Sequence, residues 1–179
     1  MKVENIRHSS TLFYQIRIAN FSALYFSITG LGLSLIAYEK DFYVMTGINA
    51  SPRDKLIVSI LMWAAFGFTI AHAVALVMRH LIYFRWMQLK QLITKEDTLS
   101  STGYWKSIMG DLVVQCIIPY PFLNEMYYYE HNGRFGPQEV RYKVNHVLLA
   151  IMIFSRVYQL LLSTLLLSYW SAPRAQRIW

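Results

Sequence analysis

The chain is poor in charge. Asp, Glu, Lys and Arg make up 15% of its 179 residues, whereas a soluble domain carries about 25%. That shortage argues against a soluble enzyme. It also argues against intrinsic disorder, which needs the opposite composition. A single cysteine, Cys116, excludes an intramolecular disulfide framework and a multi-cysteine zinc site. The sequence holds no His-Glu-x-x-His motif, no Ser-His-Asp constellation and no Gly-rich phosphate loop. It also lacks an Asp-rich twelve-residue calcium loop. No enzyme activity, metal or cofactor is therefore expected. Internal repeats and low-complexity tracts are missing as well.

What is abundant is apolar sequence, 55% of residues, and it comes in long runs. A helix needs about 20 apolar residues to cross the bilayer core. Residues 18–38 form the first such stretch, free of charge and stopped by Glu39, Lys40 and Asp41. The second, 56–78, contains one titratable residue, His72, and ends at Arg79. Residues 147–170 form another, interrupted only by Arg156. A weaker candidate, 108–123, carries Asp111 and ends in Pro119-Tyr-Pro121. Counted as a span, it gives an all-α, four-helix transmembrane bundle over 18–170. An amphipathic segment, 1–17, precedes the bundle, and a polar tail, 171–179, follows it.

Charge supports that topology. Segments 1–17, 79–107 and 171–179 share one side and hold ten basic residues against three acids. The two loops on the other side carry six of each. The whole net charge of +7 thus falls on one face, as the positive-inside rule requires, with both termini inside. Nucleic acid is not needed to explain it. The first apolar run has full span length and no small-residue cleavage site, so no secretory signal is read. Arg7, Ser9, Ser10 and Arg17 are compatible with mitochondrial import.

Within this frame a few residues stand out. Asp111 is the one carboxylate inside a span, and Arg156 lies near mid-depth in the last helix, so the two are expected to pair. Arg79 and Arg85 at the inner interface are candidates for a phospholipid headgroup, cardiolipin among them. His72 and His146 lie at depths too different to share a haem, and His72 is expected to bond a neighbouring helix. Gly30, Gly32 and Gly67 are expected to allow close helix approach, and Cys116 to be an inert core residue. Helical periodicity from Leu81 to Ile93 predicts a helix continuing out of the second span along the surface. Asn132-Gly133 and Gly136-Pro137 predict a loop over 124–146. Asn49-Ala-Ser51 is a glycosylation sequon in the outer loop.

Several of these features together resemble the first four helices of small-conductance calcium-activated potassium channels, their ciliate members above all. The resemblance rests on the second helix with its basic-aromatic extension, on Cys116-Ile-Ile-Pro119-Tyr-Pro121, on Arg156-Val-Tyr158 and on Ser171-Ala-Pro-Arg-Ala-Gln-Arg177. It covers residues 55–179 and implies a voltage-sensor-like domain. The departures matter more. A channel of this family needs two further spans and a filter of backbone carbonyls, and the sequence reaches Trp179 without them. Thr102-Gly103-Tyr104 matches part of a filter but lies in the inner loop. The family's calmodulin-binding region has no counterpart either. A voltage sensor repeats its basic residue every third position, and after Arg156 those positions hold Gln159, Leu162 and Leu165. The expectation is a channel-like protein without a pore, serving as an accessory subunit of a larger membrane complex. A respiratory-chain or ATP synthase assembly of the mitochondrial inner membrane ranks first. A regulatory subunit or sensor-like fragment of a calcium-activated potassium channel in the plasma membrane is the alternative.

Overall fold

A computed structural model describes residues 2–45, 52–94, 96–123, 127–131 and 139–167. The fold is all-α with four helices: α1 (Lys2–Met45), α2 (Pro52–Leu89), α3 (Trp105–Gln115) and α4 (Val144–Leu167). A short antiparallel ribbon, β1 (Tyr127–His131) with β2 (Glu139–Lys143), precedes α4 and pairs Tyr129 with Arg141 at its centre. The loop expected over 124–146 therefore contains a hairpin. Its Tyr, Val and Arg-rich arms favour extended chain, and the two turn dipeptides lie between them, outside the described residues.

No proline interrupts α1, so the amphipathic segment 1–17 continues into the first span as one helix. Pro52 opens α2, where a missing N–H costs nothing, and Asp54 sits in the first turn. The helix stops in a Schellman motif: Gln91 takes a left-handed φ of 59°. Leu92 N–H then donates to Met87 O at 3.1 Å and Gln91 N–H to Gln88 O at 3.1 Å. The surface helix expected through Ile93 thus ends at Leu89.

Among the described residues, three helices are long and apolar enough to cross a membrane, over His8–Tyr43, Arg53–Leu89 and Val144–Leu165. They mark the chain as an integral membrane protein. The expected span 108–123 is not a continuous helix. Its helical part, α3, has 11 residues, or about 16 Å of a roughly 30 Å core. Pro119 and Pro121 explain the break, because each lacks an N–H and a residue before proline avoids the helical region. From 117 to 120 the chain has no regular secondary structure, and it closes in a 3-10 turn, Pro121–Leu123. It still passes from one end of the bundle to the other. Asp111 meets Arg79, Gln115 meets Arg156, and Tyr120 meets Asn145 in the first turn of α4.

The helices α1 and α2 pack antiparallel through small side chains. Ala23 packs with Ala75 and Leu76, and Ala37 with Val58 and Met62. A third apolar cluster, Ile118, Leu149 and Met152, is flanked by Leu31, Phe66 and Tyr120. It forms a layer across the middle of the bundle. Outside that layer the distribution is inverted. Phe154 is 77% and Trp63 57% exposed, while Asn20, His72, Arg156 and Gln159 are buried. A lipid solvent produces this inversion, since apolar side chains gain nothing by leaving it.

Candidate functional site

The buried polar groups fall into two clusters on either side of the apolar layer. At the end where α1 finishes and α4 begins, Lys143 Nζ donates to both carboxylate oxygens of Asp41, at 2.7 and 2.6 Å. His146 Nε2 lies 3.7 Å from the same carboxylate, and Tyr38 meets the His146 ring edge-on at 4.7 Å. One step deeper, Asn145 serves both backbone groups of one residue: Tyr120 N–H donates to its Oδ1 at 3.1 Å and its Nδ2 donates to Tyr120 O at 2.9 Å. A crevice of about 350 Å³ opens beside this group, walled by Ser34, Ala37, Met62, Pro119 and Leu149.

The second cluster forms where α2 leaves the core and α3 starts. Asp111 Oδ2 accepts from Arg79 Nη2 at 3.0 Å and lies 2.9 Å from His80 Nε2. His80 Nδ1 is 3.0 Å from the Tyr104 hydroxyl. Burial, with Tyr83 next to it, pushes the Tyr104 phenol above its ordinary value. A carboxylate only accepts, so the proton between His80 and Asp111 sits on Nε2, and the Tyr104 hydroxyl donates to the remaining Nδ1. The result is a chain, Tyr104 to His80 to Asp111, closed by Arg79. Between this chain and the apolar layer, Arg156 Nη1 donates to Gln115 Oε1 and His72 Nδ1–H donates to Ala23 O at 2.8 Å.

The expected Asp111–Arg156 pair is replaced by two separate contacts. Asp111 and Gln115 are four residues apart on one face of α3. Asp111 takes Arg79 and His80, and Gln115 takes Arg156. Arg79 is consequently buried and neutralised, which removes it as a headgroup ligand, whereas Arg85 is exposed. His72 does bond the neighbouring helix. Of the three glycines, Gly30 faces α2: a Cβ there would meet Phe68 Cβ at 3.5 Å. Gly32 and Gly67 have nothing within 4 Å of such an atom, so they are not close-approach points. Cys116 is exposed rather than in the core, because the helix ends there and turns it outward. Asn49 and the Ser171–Arg177 segment lie outside the described residues.

Sequence reasoning missed Asp41, Lys143, Asn145, His80, Tyr104, Gln115 and Gln159. Part of the signal was present. Arg156, Gln159 and Ser163 recur at helical spacing on α4, and Gln115 follows Asp111 by one turn. Among the described residues no group of His, Cys, Asp and Glu is placed to hold a metal ion. Compared with family models, with curated proteins and with solved structures, the chain matches none.

Proposed function

We propose that this protein is a channel-like accessory subunit that carries no pore of its own within these residues and braces a larger membrane assembly. The observation that carries the reading is the length of the first two helices. With 44 and 38 residues, α1 and α2 extend about 66 and 57 Å. The hydrocarbon core is about 30 Å thick. The apolar stretches 18–38 and 56–78 fill it, leaving residues 2–17 and 79–89 as a two-helix rod on one side. Tyr83 stacks on Trp86 there, Lys90 lies over the Trp86 ring at 5.8 Å, and Tyr83 and Arg85 are exposed. Aromatic and arginine side chains of this kind anchor protein interfaces. The membrane interior offers little competing function, because the apolar layer around Met152 separates its two polar clusters.

The charge bias puts the rod on the cytoplasmic or matrix side. The mitochondrial inner membrane is the favoured location and a respiratory or ATP synthase assembly the favoured partner. An anionic phospholipid such as cardiolipin fits the exposed Arg85. The test is purification of the tagged full chain in mild detergent, then a native gel and mass spectrometry of co-migrating chains. Photo-crosslinkers at positions 83 and 85 identify the direct neighbour. A stable free monomer with no crosslinked neighbour refutes the reading.

One observation favours the alternative, a regulatory subunit of a potassium channel: Arg156 is buried on the last helix and faces α3. A single charge couples only about 2.3 kcal/mol per 100 mV, too little for steep gating. Co-migration with pore-bearing chains, and potassium flux lost on deletion, would establish it. Glycosylation at Asn49 in native membranes would place the chain on the secretory route and exclude the mitochondrion.

A further inference from the structure

The helix α3 stops inside the membrane. Its last residue, Gln115, bonds Arg156 in the middle of α4, and Ile118 packs into the apolar layer with Met152. A helix leaves its last four carbonyls without partners of its own. Here Leu112 O takes Cys116 N–H at 2.8 Å and Gln115 O takes Arg156 Nη2 at 3.4 Å. Among the described residues, no donor reaches Val113 O or Val114 O. The Ile117 and Ile118 N–H groups, which a continuing helix would have turned to them, bond no described acceptor. Hydrocarbon offers such groups nothing, so irregular backbone at this depth is tolerated only against protein or water.

The outward side of the break suits protein rather than water. Val113, Val114 and Cys116 are exposed there, and none carries a strong polar group. Of the 11 residues of α3, only Ile108 and Gln115 are buried. Gly110, one turn before Val114, is exposed, and a Cβ added to it would meet nothing within 4 Å. Glycine inside a helix is unfavourable relative to alanine, and no described contact within the chain requires it. Between membrane helices, glycine lets a second backbone approach closely. Gly32 and Gly67 are as open, but they lie within unbroken helices. Only at Gly110 does an open glycine adjoin unsatisfied backbone.

The open carbonyls sit at the negative end of the α3 dipole and call for donors. A second copy of this chain is a poor source: its Ser22, Thr29 and Thr164 hydroxyls already donate to Ile18 O, Tyr25 O and Leu161 O. We propose that the outward face of α3 from Gly110 to Cys116 seats one transmembrane helix of the partner subunit. The inference rests on the accessory-subunit reading and adds to it a contact within the membrane, apart from the inner rod. The incoming helix passes against Gly110 and turns a hydroxyl or carboxamide side chain to the Val113 and Val114 carbonyls. Such a group serves open backbone as Asn145 serves Tyr120 on the same crossing.

The test places a photo-reactive amino acid at position 113 of the tagged full chain in its native membrane, and separately at position 60, exposed on α2. Crosslinked peptides are sequenced by mass spectrometry. Position 113 is expected to capture a transmembrane segment of another protein with Ser, Thr, Asn or Gln within one turn of the adduct, and position 60 not to capture it. Gly110→Leu is expected to lower co-migration with the assembly at least about tenfold by overpacking the contact, while the isolated chain still folds. Gly67→Leu, the same change at an open glycine of an unbroken helix, is expected to leave co-migration unchanged. If Gly110→Leu does not fold, the crosslink decides. Lipid adducts alone at position 113, peptides of this chain itself, or equal co-migration of the two leucine variants would each overturn the inference. Protein capture at positions 83 and 85 with lipid alone at 113 would overturn it and keep the accessory-subunit reading; no protein capture at any of the three would end both.

Discussion

Asn145→Leu is the most informative single substitution in this bundle. Between Pro119 and Pro121 there is one amide proton, that of Tyr120, and it donates to the Asn145 side chain at 3.1 Å. The carbonyl of the same residue has a second partner, Leu123 N–H at 3.1 Å, so removing Asn145 orphans the donor and only weakens the acceptor. Asn145 is 4% exposed, and water does not replace it easily. An orphaned buried donor costs about 1–3 kcal/mol, and the lost second bond adds about 0.5–1.5 kcal/mol. The expected loss is therefore about 1.5–4.5 kcal/mol. It is measured by equilibrium unfolding in detergent, with hydrogen exchange at the Tyr120 amide as the local reporter. Because each flanking proline lacks an N–H, that amide reads the contact alone. Its protection should fall by one to three powers of ten, at about 1.4 kcal/mol for each tenfold change. Unchanged protection, together with a stability loss under about 0.5 kcal/mol, would refute the idea that Asn145 holds the non-helical half of this crossing.

Lys143→Met leaves Asp41 charged and buried, and should cost about 3–5 kcal/mol in the same assay; adding Asp41→Leu should recover most of that, because an apolar pair replaces a buried ion pair at little cost. A double variant as unstable as the single one would show that the contact is not what Lys143 contributes. Gly30→Leu should destabilise by about 1–3 kcal/mol through overpacking against Phe68, whereas Gly32→Ala should be neutral or stabilising by about 0.5–1 kcal/mol; equal losses at both positions would contradict the packing.

The long helices were legible because they are written in one variable. An uninterrupted apolar run of span length forms a helix wherever lipid surrounds it, and α1, α2 and α4 need nothing further. The crossing through α3 was legible only as a crossing. Its conformation depends on two prolines and on an asparagine 25 positions further along the chain, and no local pattern links them. The arginine contacts show the same limit. Asp111 was identified as the one carboxylate inside a span, but whether it meets Arg79 or Arg156 depends on the position of α3 along its axis. A four-residue offset between Asp111 and Gln115 exchanges the two answers. The β-ribbon failed for a different reason: its extended arms are too short and too mixed in polarity to show an alternating pattern.

The inverted core changes what holds this fold together. In water, the layer formed by Ile118, Leu149 and Met152 would be the main source of stability; in lipid, burying it gains little beyond close packing. Specific contacts must then fix the relative positions of the helices. They do so at both ends and in the middle: Lys143, the last residue of β2, holds Asp41 of α1, Asn145 ties α4 to the chain at Tyr120, Gln115 with Arg156 ties α3 to α4, and Arg79 and His80 with Asp111 tie α2 to α3. His72 with Ala23 adds the link between α2 and α1. The links thus join α1 to α2, α2 to α3 and α3 to α4, while the apolar layer keeps the two groups of charges apart. Such an arrangement fixes the bundle without a continuous polar path through it, which is what a rigid membrane brace requires and a conducting domain does not.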